Sequence, residues 1–190
     1  MILVFRLALG LLVMHIGVTV VGAVGMARQA PGCDPPVWGN EAATFATRLE
    51  AYVSLRNQLE TNPGRPATRQ ALAERIRTAR AKAKPGDLLT PALSLEIKKS
   101  LRRELDEHTW KVIMDDNPGE LPSQVNDVYR EGMPLSTMPP NILAPLPRLA
   151  ADIEYRFVER HLVLLDTRAM VILDRIPYAI PVFDSKTSCR

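Results

Sequence analysis

The apolar residues of this chain change period part-way along it, and that change constrains the fold more than any other feature. Leu93, Ile97, Leu101 and Leu105 step by four, which is one face of an α-helix. Ile153, Tyr155 and Phe157 instead alternate with Glu154 and Arg156, the spacing of a half-buried strand. Helices gathered before strands predict an α+β fold rather than alternating βαβ units.

The helical part has three to four members. Asn40 is a candidate N-cap with Glu41 in the first turn, and Phe45, Leu49, Tyr52, Val53 and Leu59 recur at helical spacing until Asn62-Pro63-Gly64 ends the run. A second helix spans about Ala67–Ala83, with Leu72, Ile76 and Ala79 inward and a basic outer face of Arg69, Arg75, Arg77, Arg80, Lys82 and Lys84. Lys84-Pro85-Gly86-Asp87 stops it. Thr90-Pro91 then opens a third helix as N-cap and first helical residue. A short amphipathic stretch with Trp110, Val112 and Ile113 follows, broken by Asp115-Asp116-Asn117-Pro118-Gly119.

Residues 118–152 form a proline-rich arm, too apolar for a solvated linker and expected to lie extended over the helices. Beyond it, Ile153–Phe157, Leu162–Leu165 and Met170–Leu173 read as a three-stranded antiparallel meander, joined by short turns at 159–161 and 167–169. The middle strand is apolar on both faces, so it needs cover from the helices. Residues 28–117, 118–152 and 153–190 are expected to form one domain.

Ahead of this body, Leu7–Ala27 is 21 residues without a charge, flanked by Arg6 and Arg28. At about 1.5 Å per residue such a helix spans roughly 30 Å, the thickness of a bilayer's hydrocarbon core. Gly25 and Ala27 suit cleavage after Ala27, whereas the length suits an uncleaved anchor, so residues 1–27 read as either a signal peptide or a membrane anchor. Both readings place the body outside the cytoplasm, periplasmic or held at the outer side of the cytoplasmic membrane. In such a compartment Cys33 and Cys189 are a candidate disulfide, which would contribute about 5 kcal/mol in the chain-entropy model.

A pI of about 9.0 suggests nucleic acid, but the charge arithmetic does not sustain it. Without Arg6 and Arg28 the body carries 22 basic against 21 acidic side chains. The imbalance is local: residues 65–103 hold eleven Lys and Arg against Glu74, Asp87 and Glu96. No aromatic side chain is interleaved there, which disfavours single-strand stacking. An acidic protein or an anionic membrane surface is the partner this basic face suggests.

Two stretches carry a resemblance. Ala71-Leu72-Ala73-Glu74-Arg75-Ile76-Arg77, running on through Pro85-Gly86-Asp87 to Thr90-Pro91, is one. The other runs from Met138-Pro139-Pro140 through Leu146-Pro147 to Ile153–Val158, Leu162-Val163-Leu164 and Asp166, ending near Asp174. Together they resemble a group of uncharacterised exported bacterial proteins with an "AERIRxAR…PGD" helical segment and a C-terminal "LEYRFVGRDLVLxD" element. The resemblance covers about half of the chain and implies export and a helical body with a small terminal sheet. It carries over no catalytic residue. Glu159 stands where that group has glycine.

Motifs that would carry chemistry fail on inspection. Leu164-Leu165-Asp166-Thr167 looks like the loop of retroviral-type aspartic proteases, but Arg168 occupies a position that needs glycine. Asp115-Asp116-Asn117 begins no calcium loop, because its sixth residue is Glu120 rather than glycine and its twelfth is Asn126. His108 and His161 have no Cys or His at ligand spacing, so no metal or other cofactor is expected. The expected function is therefore binding rather than catalysis. The alternatives are an envelope enzyme built on scattered carboxylates such as Asp166, Asp174 and Glu154, and a membrane-anchored assembly subunit.

Overall fold

A computed structural model describes residues 35–61, 67–121 and 123–182. The apolar leader, Cys33, Cys189, Arg65 and the Asn62-Pro63-Gly64 turn lie outside the described residues. Among these residues five helices, α1 (Gly39–Glu60), α2 (Arg69–Ala79), α3 (Pro91–Glu104), α4 (Glu107–Asp115) and α5 (Pro140–Leu143), precede β1 (Ile153–Val158), β2 (His161–Asp166) and β3 (Val171–Ile176). The strands form one antiparallel sheet in the order β1-β2-β3, so the α+β class and the meander are as the periodicity predicts. No described helix is long and apolar enough to cross a membrane.

Local chemistry sets the helix starts. The Thr90 hydroxyl accepts from Leu93 N at 3.1 Å, with Pro91 at the first helical position. Thr68 and Asp106 cap α2 and α4 through Ala71 N and Thr109 N. α1 departs from expectation: it begins at Gly39 after Trp38 with no side-chain cap, so Asn40 is not the N-cap. α2 is also shorter than the predicted Ala67–Ala83, and Ala79 is exposed rather than inward. The fifth helix is one turn inside the arm, opened by consecutive prolines.

The sheet has apolar residues on both faces, and two separate parts of the chain cover them. Leu162, Leu164, Tyr155, Phe157, Val171, Leu173 and Ile176 share a core with Phe45, Leu49, Leu72, Ile76, Leu93, Ile97 and Leu101 of the helices. On the other face Val158, Val163, Leu165 and Ile172 pack with Tyr129 and, at their margin, Leu121, Met133 and Leu135. The apolar side chains Leu121, Tyr129, Met133 and Leu135 of the arm's first half are thus laid over the sheet and not over the helices. The helices cover only one face, and water-exposed Val163, Leu165 and Ile172 would each cost roughly 1.5–3 kcal/mol. The arm also extends the sheet: Val128 bridges to Val171, Tyr129 N donates to Met170 O and Ile172 N to Asp127 O. Its second half, with Met138, Ile142, Leu146 and Leu149, joins the helical core.

Two backbone features decide where the charged residues of the sheet point. Leu164 pairs with Asp174 while Leu165 pairs with Ile172, so Leu173 is an extra residue in β3. This bulge turns Asp174 onto the helical face beside Leu164. At the β1–β2 turn Glu159 has φ 52°, the left-handed conformation that glycine adopts more readily. Asn117 holds it there, its Oδ1 accepting from Glu159 N at 2.8 Å and its Nδ2 donating to Glu159 O at 2.9 Å.

Candidate functional site

The sheet's helical face carries two carboxylates, and both are fully buried. Asp166 ends β2. Its Oδ1 accepts from the backbone of Arg168 (2.8 Å) and Ala169 (3.0 Å), which folds the β2–β3 turn back on itself. Its Oδ2 accepts from the Tyr52 hydroxyl at 2.5 Å and from Arg56 Nη1 at 3.3 Å. Tyr52 and Arg56 come from α1, where Phe45, Leu49, Tyr52 and Arg56 form one buried stripe. Arg56 is only 3% exposed and reaches Asp152 at 3.7 Å as well. Burial, together with the Asp166 charge and hydrogen bond, pushes the Tyr52 phenol well above its usual range, so the proton stays on Tyr52 and points at Asp166.

Asp174 serves the loop between α2 and α3. Its Oδ1 accepts from Gly86 N (3.0 Å) and Arg175 N (2.7 Å), and its Oδ2 from Leu88 N and Leu89 N, both at 2.8 Å. The Pro85-Gly86-Asp87 motif and Asp174, both within the resemblance, are therefore two halves of one contact. Gly86 takes φ 91° there, so a side chain would be strained.

Arg80 joins the two carboxylate sites. Its guanidinium lies 5.4 Å from the centre of the Tyr52 ring and donates to Leu173 O at 2.8 Å, next to Asp174. Asn126 on the arm accepts from Arg80 Nη1 and returns a hydrogen bond to Arg80 O. Helix, arm and sheet are tied together at this one residue.

Chemically this assembly is a clamp. Every partner of Asp166 and of Asp174 is a donor fixed by the fold, so neither carboxylate keeps an oxygen free for substrate or for a water nucleophile. Glu154, the third carboxylate of the enzyme reading, lies on the other face of the sheet and is ion-paired with Arg156. Tyr52→Phe keeps the ring and removes one charge-assisted hydrogen bond. It is expected to lower unfolding stability by about 2 kcal/mol in urea titration.

The predicted basic face is partly dismantled. Arg75 donates to Leu59 O at 2.8 Å, Arg77 Nε to Asn126 O at 3.0 Å, and Arg80 is half-buried. Arg77 also pairs with Glu74, and Arg69 with Glu131. Lys82 and Lys84 are exposed and, with Lys98 on α3, hold no hydrogen bond or ion pair through their side chains among the described residues. Arg69, Arg77, Glu74 and Glu131 rim a groove of about 690 Å³ floored by Ala73, Ala169 and Met170, and its charges neutralise one another in pairs.

His108 is exposed at the start of α4, whereas His161 is largely buried. Asp116 accepts from Thr137 and Asn117 clamps the β1–β2 turn, so the Asp115-Asp116-Asn117 segment has structural partners. Among the described residues no group of three His, Cys, Asp or Glu is placed to hold a metal ion. Sequence reasoning missed Arg56 and Tyr52 as site residues. The available signal was a charged residue at the fourth position after Tyr52 on an apolar stripe. No protein-family model, curated protein or solved structure matches the chain.

Proposed function

We propose that this protein is exported, remains associated with the cell envelope, and works by binding another protein rather than by catalysis. The observation that carries the reading is the saturation of Asp166 and Asp174 by fixed donors. Those carboxylates were the strongest candidates for acid–base chemistry, and their oxygens are occupied in holding the fold. Residues 1–27 act as its export leader, Cys33 pairs with Cys189, and membership of the resembled exported group belongs to the same proposal.

The binding surface in this reading is made of lysines left unpaired among the described residues, Lys82 and Lys84 after α2 and Lys98 on α3. Three lysines at about 1 kcal/mol each give roughly 3 kcal/mol toward an anionic bilayer, weaker than millimolar binding. A protein partner with an acidic patch adds apolar and hydrogen-bonded contacts to the same charges, and is favoured for that reason.

The test is affinity recovery of the full chain, tagged at its C-terminus, from cross-linked cell envelopes. The comparison is with a Lys82→Glu, Lys84→Glu, Lys98→Glu variant, which leaves the clamp arginines intact. Expected are an envelope-located protein starting near Arg28 and a partner set lost in the variant. Unchanged partners would remove this surface, recovery from the cytoplasm would remove export, and a full-length form confined to membranes would make residues 7–27 an anchor.

A further inference from the structure

The segment after β3 turns back to pack against the β1–β2 turn, and His161 meets it there. Tyr178 N donates to His161 Nδ1 at 3.0 Å. The two rings are 4.9 Å apart at 60°, and the Arg160 guanidinium lies 5.0 Å from the Tyr178 ring centre. Ile180 N donates to Arg160 O at 3.3 Å, and Ala179 and Ile180 are buried in the main core. Tyr178 itself is exposed and has φ 48°, a left-handed conformation that an aromatic L-residue holds only when its surroundings enforce it. The His161 contact is one of the few that do.

We infer that His161 is an acid-sensitive latch that holds residues 177–182 against the β1–β2 turn. To accept from Tyr178, Nδ1 must be bare, which places the imidazole proton on Nε2, 3.6 Å from the Glu159 carboxylate. An imidazolium carries N–H on both nitrogens, so protonation sets a donor against the Tyr178 donor. The Tyr178 backbone then loses one of the contacts that hold it left-handed, and the segment lifts, uncovering Ala179 and Ile180.

Burial of the ring sets the direction. Burial, and after it Arg175 from β3 and Arg160 from the turn, pull the His161 pKa below its ordinary value, and Glu159 opposes them in part. The released histidine, titrating near 6.5, therefore binds a proton more tightly than the latched one. The latch is at full strength above about pH 6.5 and weakens as pH falls below it.

Amide hydrogen exchange of the full chain at pH 7.5 and 5.5, corrected for intrinsic rates, tests this. Protection at Tyr178 and Ile180 is expected to fall about tenfold on acidification, the scale of one lost hydrogen bond, with Leu164 and Ile172 unchanged. His161→Asn offers a non-titrating acceptor at the Nδ1 position and is expected to abolish the pH dependence. An undiminished fall in that variant, no fall in the native protein, or a parallel fall at Leu164 and Ile172 would each overturn the latch.

Discussion

Asp166→Ala is expected to destabilise the protein by about 4 kcal/mol, seen as a lower urea midpoint by circular dichroism. The magnitude follows from what stays behind. Arg56 remains 3% exposed with its nearest carboxylate gone, and Asp152 at 3.7 Å is a poor substitute. Arg168 N and Ala169 N lose their acceptor at the β2–β3 turn, and the Tyr52 hydroxyl is left facing a cavity. Asp166→Asn is expected to recover little, because all four partners are donors and an amide must turn its NH₂ toward two of them. Adding Arg56→Met to Asp166→Ala is expected to restore part of the loss, since removing both charges is cheaper than stranding one. If the double variant is as unstable as the sum of the singles, the pair is not coupled and the clamp is misassigned.

Asp174→Ala is expected to cost a similar amount, about 3–5 kcal/mol, by a different route. No ion pair breaks. Instead Gly86, Leu88 and Leu89 lose the acceptor of their N–H groups, two of them in fully enclosed surroundings. The loop between α2 and α3 then has no reason to sit on β3, and Leu88 and Leu89 leave the core with it. Loss of exchange protection is expected to begin at residues 85–90, ahead of global unfolding. A variant that keeps protection there would show that apolar packing alone seats the loop. Against a typical total of 5–15 kcal/mol, either substitution removes a large share of stability.

These two residues also mark how far the sequence was legible. Helical and strand periods located α1, α2, α3 and all three strands, because each element buries one face and that burial imprints its period on neighbouring residues. Thr90-Pro91 was readable for a similar reason: capping is satisfied within four residues and needs nothing distant. Long-range outcomes were not readable. The arm's place over Val163, Leu165 and Ile172 depends on which sheet face the helices leave bare, and no local pattern records that. The basic face looked solvated because its acceptors, Leu59 O, Asn126 O and Leu173 O, are backbone carbonyls, identical at every position until the chain is folded.

Asp174 shows the division most plainly. Strict alternation from Val171 would point it, like Ile172, toward the arm, and one extra residue at Leu173 sends it to the helices instead. The sequence by itself determined the fold class, the strand order and the Thr90-Pro91 cap, since these are settled between near neighbours by burial period and local hydrogen bonds. Only the tertiary structure decided which charges became the clamp. A buried carboxylate is tolerated where distant donors converge on it, and that convergence exists only after α1, the 86–89 loop and the bulged strand have packed together.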